Sequence, residues 1–145
     1  MTVIRPETLQ VKKMNPEAIL PTRHHEDDAG LDLYCLEEAY LEPQYGKVCR
    51  TGIAFAIPKG FVGLISDRSS MAKRGIKTAG GIIDAGYRGE VHIVLWNLSK
   101  DPIQVKPGER IAQLMIIPIA TPTVMEVSEL DETARGAKGF GSSGA

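Results

Sequence analysis

No window of this chain holds apolar residues at i, i+3, i+4 and i+7 over a dozen positions, so a helix of ordinary length has no place in it. What recurs instead is short β-branched runs between Pro and Gly breaks. These are Leu9-Gln10-Val11, Leu31 to Cys35, Lys47 to Ile57, Phe61 to Ile65, Glu90 to Leu98 and Ile103-Gln104-Val105, punctuated by Pro58-Lys59-Gly60 and Pro107-Gly108. Val91, Ile93 and Leu95 alternate with His92, Val94 and Trp96; both sets are largely apolar, so this strand is expected to be covered on each side. Arg110 to Ile119 reads as a further buried strand. The one expected helix is short: Ser69 caps Ser70 to Arg74, and Gly75 is its left-handed stop. Many short strands with one helical turn predict an all-β fold, a barrel or sandwich, for which a jelly roll is the natural form.

At 145 residues the chain fits one compact domain that buries roughly two-thirds of its unfolded surface. Seventeen basic residues against eighteen acidic ones give no global field, so affinity for phosphate groups must come from local placement, and binding of duplex nucleic acid by bulk charge is not expected. Cys35 and Cys49 lie in separate apolar segments without C-x-x-C spacing, which points to reduced, buried thiols and a cytoplasmic location. No run reaches the eighteen apolar residues of a membrane span, and Met1 to Pro6 lacks the apolar region of a signal peptide, so a soluble, unprocessed protein is expected.

Candidate chemistry concentrates in a few segments. Gly80-Gly81-Ile82-Ile83-Asp84-Ala85-Gly86-Tyr87-Arg88-Gly89-Glu90 puts one acid and one ring into a glycine-rich reversal between apolar runs. By itself this is equally an Asx-type turn with Tyr87 covering the hairpin. Asp67-Arg68-Ser69-Ser70 offers a cationic fork and a helix start to an anion, or simply an N-cap. Arg135 to Gly144 has the composition of a flexible tail, yet Arg135, Lys138 and Phe140 are what a segment closing over a nucleotide would carry. His24-His25-Glu26-Asp27-Asp28 holds metal-ligand residue types without regular ligand spacing and is better read as a solvated loop.

Taken in order, Ala29-Gly30-Leu31-Asp32-Leu33, Arg68-Ser69-Ser70-Met71-Ala72, Gly81 to Gly89, Gly108-Glu109-Arg110-Ile111-Ala112-Gln113 and Arg135 to Gly144 resemble the five motifs of the trimeric deoxyuridine triphosphate nucleotidohydrolases, the dUTPases. The resemblance runs from about Ala29 to Gly144. It implies a jelly-roll-like β-barrel of the β-clip kind, a homotrimer with active sites shared between subunits, and Mg²⁺-assisted hydrolysis of dUTP to dUMP and pyrophosphate. Such an activity limits uracil incorporation into DNA and supplies dUMP for thymidylate synthesis. It also implies a division at 134/135: a barrel over 1–134 and an arm over 135–145 that closes on the site.

By the same resemblance, Asp84 is the catalytic acid that orients and helps deprotonate a water aimed at the α-phosphorus. Gly81, Ile82 and Ile83 present backbone to uracil, and the Tyr87 ring fills the space a ribose 2′-hydroxyl would need. Arg68, Ser69, Ser70 and Gln113 hold phosphates, while Asp32 reaches Mg²⁺ through a water and is not a direct ligand. From the arm, Arg135 meets the terminal phosphate, Phe140 stacks on the base, and Gly141, Ser142 and Ser143 complete the phosphate contacts. No membrane and no stable nucleic-acid complex are implied.

Two positions depart from the family pattern: the second motif commonly reads Pro-Arg-Ser-Gly, where this chain has Asp67 and Ser70 at its ends. Arg-Ser-Ser also occurs in the related dCTP deaminases, which use a glutamate shortly after the Asp-x-Gly-aromatic segment. Val94 stands at that place here, and an aliphatic side chain cannot shuttle a proton. Deamination, bifunctional activity, or a catalytically silent nucleotide-binding protein on the same fold are the alternatives.

Overall fold

The computed structural model describes residues 5–141. Among them are eleven strands and one helix: β1 (Gln10–Lys13), β2 (Leu31–Tyr34), β3 (Ala39–Leu41), β4 (Gly46–Arg50), β5 (Ile53–Ala56), β6 (Phe61–Ser66), α1 (Ser69–Lys73), β7 (Ile76–Ala79), β8 (Ile82–Ile83), β9 (His92–Asn97), β10 (Ile103–Val105) and β11 (Arg110–Pro118). They form sheets of order β2-β11-β6-β8, β4-β9-β7, β1-β5 and β10-β3, with every strand pair antiparallel. This is the all-β, jelly-roll-like arrangement that the short runs predict.

The sheets enclose one apolar core. Leu33, Ile111 and Leu114 come from the first, Ile76, Ile93 and Leu95 from the second, and Ile53, Phe55, Leu41 and Val105 from the two ribbons. Buried polar groups are bonded, as burial requires. Asn97 donates from Nδ2 to the carbonyls of Leu41 and Asp101 at 3.0 and 2.8 Å and accepts the Ser99 hydroxyl at 2.7 Å.

Three expectations need correction. The run from Lys47 to Ile57 is two strands, because Gly52 turns the chain at φ +71 and β4 pairs with β9 while β5 pairs with β1. A Cβ at Gly52 would sit 2.9 Å from that of Ala18, so only glycine makes this corner. The helix does begin at Ser69 and stop at Gly75 (φ +80), but its N-cap is Arg68, whose carbonyl accepts from Met71 and Ala72 and whose side chain caps nothing. Strand β9 is covered on one side: Val91, Ile93 and Leu95 are buried, whereas His92 and Trp96 are exposed on the outer face of β4-β9-β7. Trp96 lies against β4 at Gly46, where a Cβ would come within 2.5 Å of the indole.

What positions the site is β11, which pairs with β2 on one side and β6 on the other. Its Gln113 stands opposite Asp32 and opposite Ser66. After Pro118 the described chain has no strand or helix, and residues 119–141 are exposed except for the half-buried Gly139. No helix among the described residues is long and apolar enough to cross a membrane.

Candidate active site

A cleft of about 520 Å³ opens where β2, β11 and the end of β6 meet, lined by Gly30, Asp32, Arg68, Ser69, Arg110 and Gln113 together with His24, Asp28 and Ala29. The residues are tied to one another. Arg68 Nε donates to Asp32 Oδ1 at 3.0 Å and its Nη1 to the Arg110 carbonyl at 3.2 Å, while the Arg110 guanidinium lies 3.6 Å from Asp32 Oδ2. Gln113 Nε2 donates to the Asp67 carbonyl at 2.7 Å. Gly30 has no alternative here, since a Cβ would overlap Gln113 Oε1. Arg68 and Arg110 converge on Asp32 at one wall of the cleft and Asp28 stands elsewhere in its lining, so cationic forks are placed locally although the formal charges balance.

Asp67 anchors the loop from below. Its Oδ1 accepts both the Thr78 N–H and the Thr78 hydroxyl at 2.7 Å, and its Oδ2 accepts from Lys77 Nζ at 2.7 Å. Burial would raise this carboxyl, but the hydrogen bonds from Lys77 and Thr78 outweigh it and hold it below its ordinary value. Ser70 is exposed and accepts from Arg68 Nη1 at 3.2 Å.

The glycine-rich hairpin is built differently. Gly81 (φ +99) passes so close to β6 that a Cβ would stand 2.8 Å from the Ile65 carbonyl, and its own carbonyl accepts the Ile65 N–H at 2.7 Å. Ile83 points into the core and Ile82 into solvent. The turn after it is closed by main chain, with Tyr87 N–H donating to the Asp84 carbonyl at 3.1 Å. Asp84 is exposed, and its carboxylate makes no hydrogen bond or ion pair among the described residues. The Asx-turn reading of this acid therefore does not hold. Tyr87 donates its hydroxyl to the Glu90 carbonyl at 2.8 Å and lies across Gly89, where a Cβ would come within 2.5 Å of the phenol oxygen.

Of the sequence-derived site residues, the cleft thus gathers Asp32, Arg68, Ser69 and Gln113, with Ser70 at its edge. It does not gather Gly81, Ile82, Ile83, Asp84 or Tyr87, none of which lines it. Among the described residues Arg135 bonds only locally, its Nε to the Lys138 carbonyl at 2.7 Å, and Phe140 and Gly141 are exposed at φ +51 and +90. Ser142 and Ser143 lie outside the described residues. Sequence reasoning left Arg110 without a role, although it stood inside a quoted motif, and treated Asp67 only as a missing proline.

Cys35 and Cys49 are free and buried, and the Cys35 thiol donates to the Glu37 carbonyl at 2.8 Å. The neighbouring Cys35 thiol, together with burial, pushes the Cys49 thiol up, away from a nucleophilic thiolate. No three His, Cys, Asp or Glu residues among those described could hold a metal as a set. Val94 sits half-buried on β9 between Val48 and Ala79.

The sequence profile of the dUTPase family matches residues 16–144. A deoxyuridine 5'-triphosphate nucleotidohydrolase of Clostridium novyi (strain NT) is 47% identical over 139 residues, covering 94% of this chain and 98% of the relative. One of Mycolicibacterium vanbaalenii is 44% identical over 148 residues, covering 96% of each. Among solved structures, the dUTPase of Staphylococcus bacteriophage 80alpha with dUPNHPP superposes with a TM-score of 0.90 at 37% identity, over 97% of this chain and 100% of that one. A mutant dUTPase of phage phi11 of S. aureus, described for its coordination of a structural Mg(II) ion, superposes with a TM-score of 0.80 at 33% identity, over 85% of this chain and 98% of that one.

Proposed function

This chain belongs to the dUTPase family; it hydrolyses dUTP to dUMP and pyrophosphate, and we propose that it does so at sites completed between the copies of a homotrimer. The observation that carries this is a division of labour: phosphate-binding side chains converge in one cleft, while the acid, the sugar-facing ring and the arm stand apart from it. A second copy supplies what the cleft of the first lacks. The outer face of β4-β9-β7, with Val48 and Trp96 exposed, is apolar surface of the kind that such packing covers.

In this reading Arg68, Ser69, Ser70 and Gln113 hold the triphosphate, with Arg68 already oriented by Asp32 before substrate arrives. The backbone of Gly81 to Ile83 reads the uracil edge, and the close packing of Gly81 on Ile65 fixes how near that backbone can come. Tyr87, held by Glu90, excludes a 2′-hydroxyl. Asp84, without a side-chain partner among the described residues, takes a proton from the water that attacks the α-phosphorus; the P–O bond to the β-phosphate breaks and pyrophosphate leaves. Arg135 and Phe140 close over the terminal phosphate and the base, with Gly141, Ser142 and Ser143 behind them, and the segment 135–145 works as a lid on the barrel of residues 1–134.

Magnesium fits this donor set. A small hard ion that keeps most of its waters needs one carboxylate and the substrate's phosphates, and Asp32, already shared between two arginines, suits contact through water. When bound, the ion supplies charge neutralisation on the phosphate oxygens. We place the protein in the cytoplasm on the strength of its two free, buried thiols, and assign it dUTP rather than a nucleic acid or membrane as partner. Val94 speaks against deamination, being aliphatic and seated among apolar neighbours.

The test is pyrophosphate release from dUTP, dCTP, UTP and dTTP with Mg²⁺, for this chain and for Asp84→Ala. Turnover confined to dUTP and lost in the variant is expected. Tight dUTP binding without turnover would leave a silent binding protein, and ammonia release from dCTP a deaminase.

A further inference from the structure

We propose that Asp67 is a positioning residue for triphosphate binding, fixing the Arg68-Ser69-Ser70 loop by hydrogen bonds on three sides. The inference rests on the phosphate-holding role given to that loop above. Asp67 directly follows β6, which belongs to the β2-β11-β6-β8 sheet, and its carboxylate reaches into the other large sheet. There it takes the Thr78 N–H, the Thr78 hydroxyl and Lys77 Nζ, each at 2.7 Å. Its main-chain carbonyl meanwhile accepts Gln113 Nε2 from β11, also at 2.7 Å. One residue therefore ties both sheets and a cleft glutamine to the first atom of the loop.

The bonds differ in worth. Lys77 is 58% exposed and its ion pair is screened, whereas the two Thr78 donors meet a carboxylate that is 24% exposed. Beyond the tie, Arg68 is fastened to Asp32, Ser70 Oγ accepts from Arg68, and the following Met71 is buried in the core. The two departures from the Pro-Arg-Ser-Gly pattern thus act at the two ends of one device. A proline stiffens a loop through its fixed φ; an aspartate here does so through its acceptors. Ser70 adds a hydroxyl that steadies the guanidinium where glycine would offer nothing.

A residue that merely stabilises the fold would affect all ligands alike. A residue that positions the phosphate loop discriminates between the two halves of the substrate. In full-length Asp67→Ala, KM for dUTP and the inhibition constant for pyrophosphate should rise roughly tenfold, the scale of losing hydrogen bonds to a charged group. The value of kcat should stay within about threefold, and deoxyuridine, which carries no phosphate, should inhibit as before. Asp67→Asn, which keeps the acceptor for Thr78, should recover most of the loss. If Asp67→Ala does not fold, Thr78→Val carries the same comparison with a smaller effect. Equal weakening of pyrophosphate and deoxyuridine, or no change in either, would overturn the proposal. Should the unaltered chain release no pyrophosphate from dUTP, the functional reading fails; calorimetric titration of pyrophosphate and deoxyuridine into it and the Asp67 variants still decides the positioning role.

Discussion

The cleft and the C-terminal segment both carry charged and polar residues, and they are organised in opposite ways. In the cleft, Arg68, Asp32, Arg110, Gln113 and Asp67 bond to one another across three strands, so their geometry exists before any ligand arrives. Over residues 119–141, side chains meet water: Val124, Met125, Leu130 and Phe140 are exposed, and among the described residues Arg135 reaches only as far as Lys138. Asp84 belongs with the second group, since its carboxylate is as unpartnered as the arm. In the function proposed above, the grip on phosphate is thus built in, whereas the acid and the arm would acquire their partners only when substrate and neighbouring subunits assemble around them. Preorganising the charged half costs little because its groups satisfy one another; ordering the arm in advance would cost conformational entropy with no contact to offset it.

The sharpest way to break this contrast is at Asp84. Asp84→Ala should lower kcat by roughly 10²–10⁴-fold, the usual reach of a general base, with dUTP binding nearly intact, because the cleft does not depend on it. A matching loss of affinity, read by calorimetry with a non-hydrolysable analogue, would show that the acid belongs to the built-in half. Next comes removal of the chain from Arg135 onward. A folded trimer with turnover down by about one to two orders of magnitude is expected, the scale of one lost base stack. Loss of the trimer in sedimentation would instead make the arm structural.

These expectations were unevenly legible. The strands could be read from β-branched runs because alternation and Gly/Pro breaks are local signals, whereas β8, with two residues, is too short to have any period of its own. The break at Gly52 was hidden because nothing local distinguishes a glycine within a strand from one at a sheet-changing corner. Candidate site residues were found by the order of their motifs. Asp67 was not, since its partners Lys77 and Thr78 become partners only once β6 and β7 lie side by side in space. Arg68 was legible as a phosphate-holding cation, but its bond to Asp32, thirty-six residues away, was not. Contacts made by topology leave no trace in spacing.

Tyr87 sharpens the comparison from the hairpin side with a smaller effect. Tyr87→Ala removes the ring that Glu90 holds in place, so acceptance of UTP relative to dUTP should rise by about tenfold, the discrimination available from a single steric contact. Tyr87→Phe, which loses only the hydroxyl bond, should retain the preference. An unchanged ratio in the alanine variant would remove the sugar gate from this ring.

The smallest effect concerns acid, and it falls on the braced part of the molecule. Asp67 is held below its ordinary value by bonds from Lys77 and Thr78 that outweigh its burial. Glu90 is held down chiefly by Arg50, which donates to both its oxygens at 3.0 and 2.8 Å, again against burial. With folded values below unfolded ones, the unfolded chain takes up protons first as pH falls. The stabilisation is complete above the ordinary carboxylate value of about 4 and disappears as pH drops through the lower folded values. Urea midpoints followed from neutral pH to about pH 3 should therefore decline, and decline less steeply in Asp67→Asn and Glu90→Gln. Because Lys77 and Arg50 both reach solvent, being 58% and 40% exposed, screening should keep the flattening in each variant slight, within a surface pair's worth. Equal slopes in all three proteins would mean that these carboxylates organise the cleft and the hairpin's base without supporting the fold.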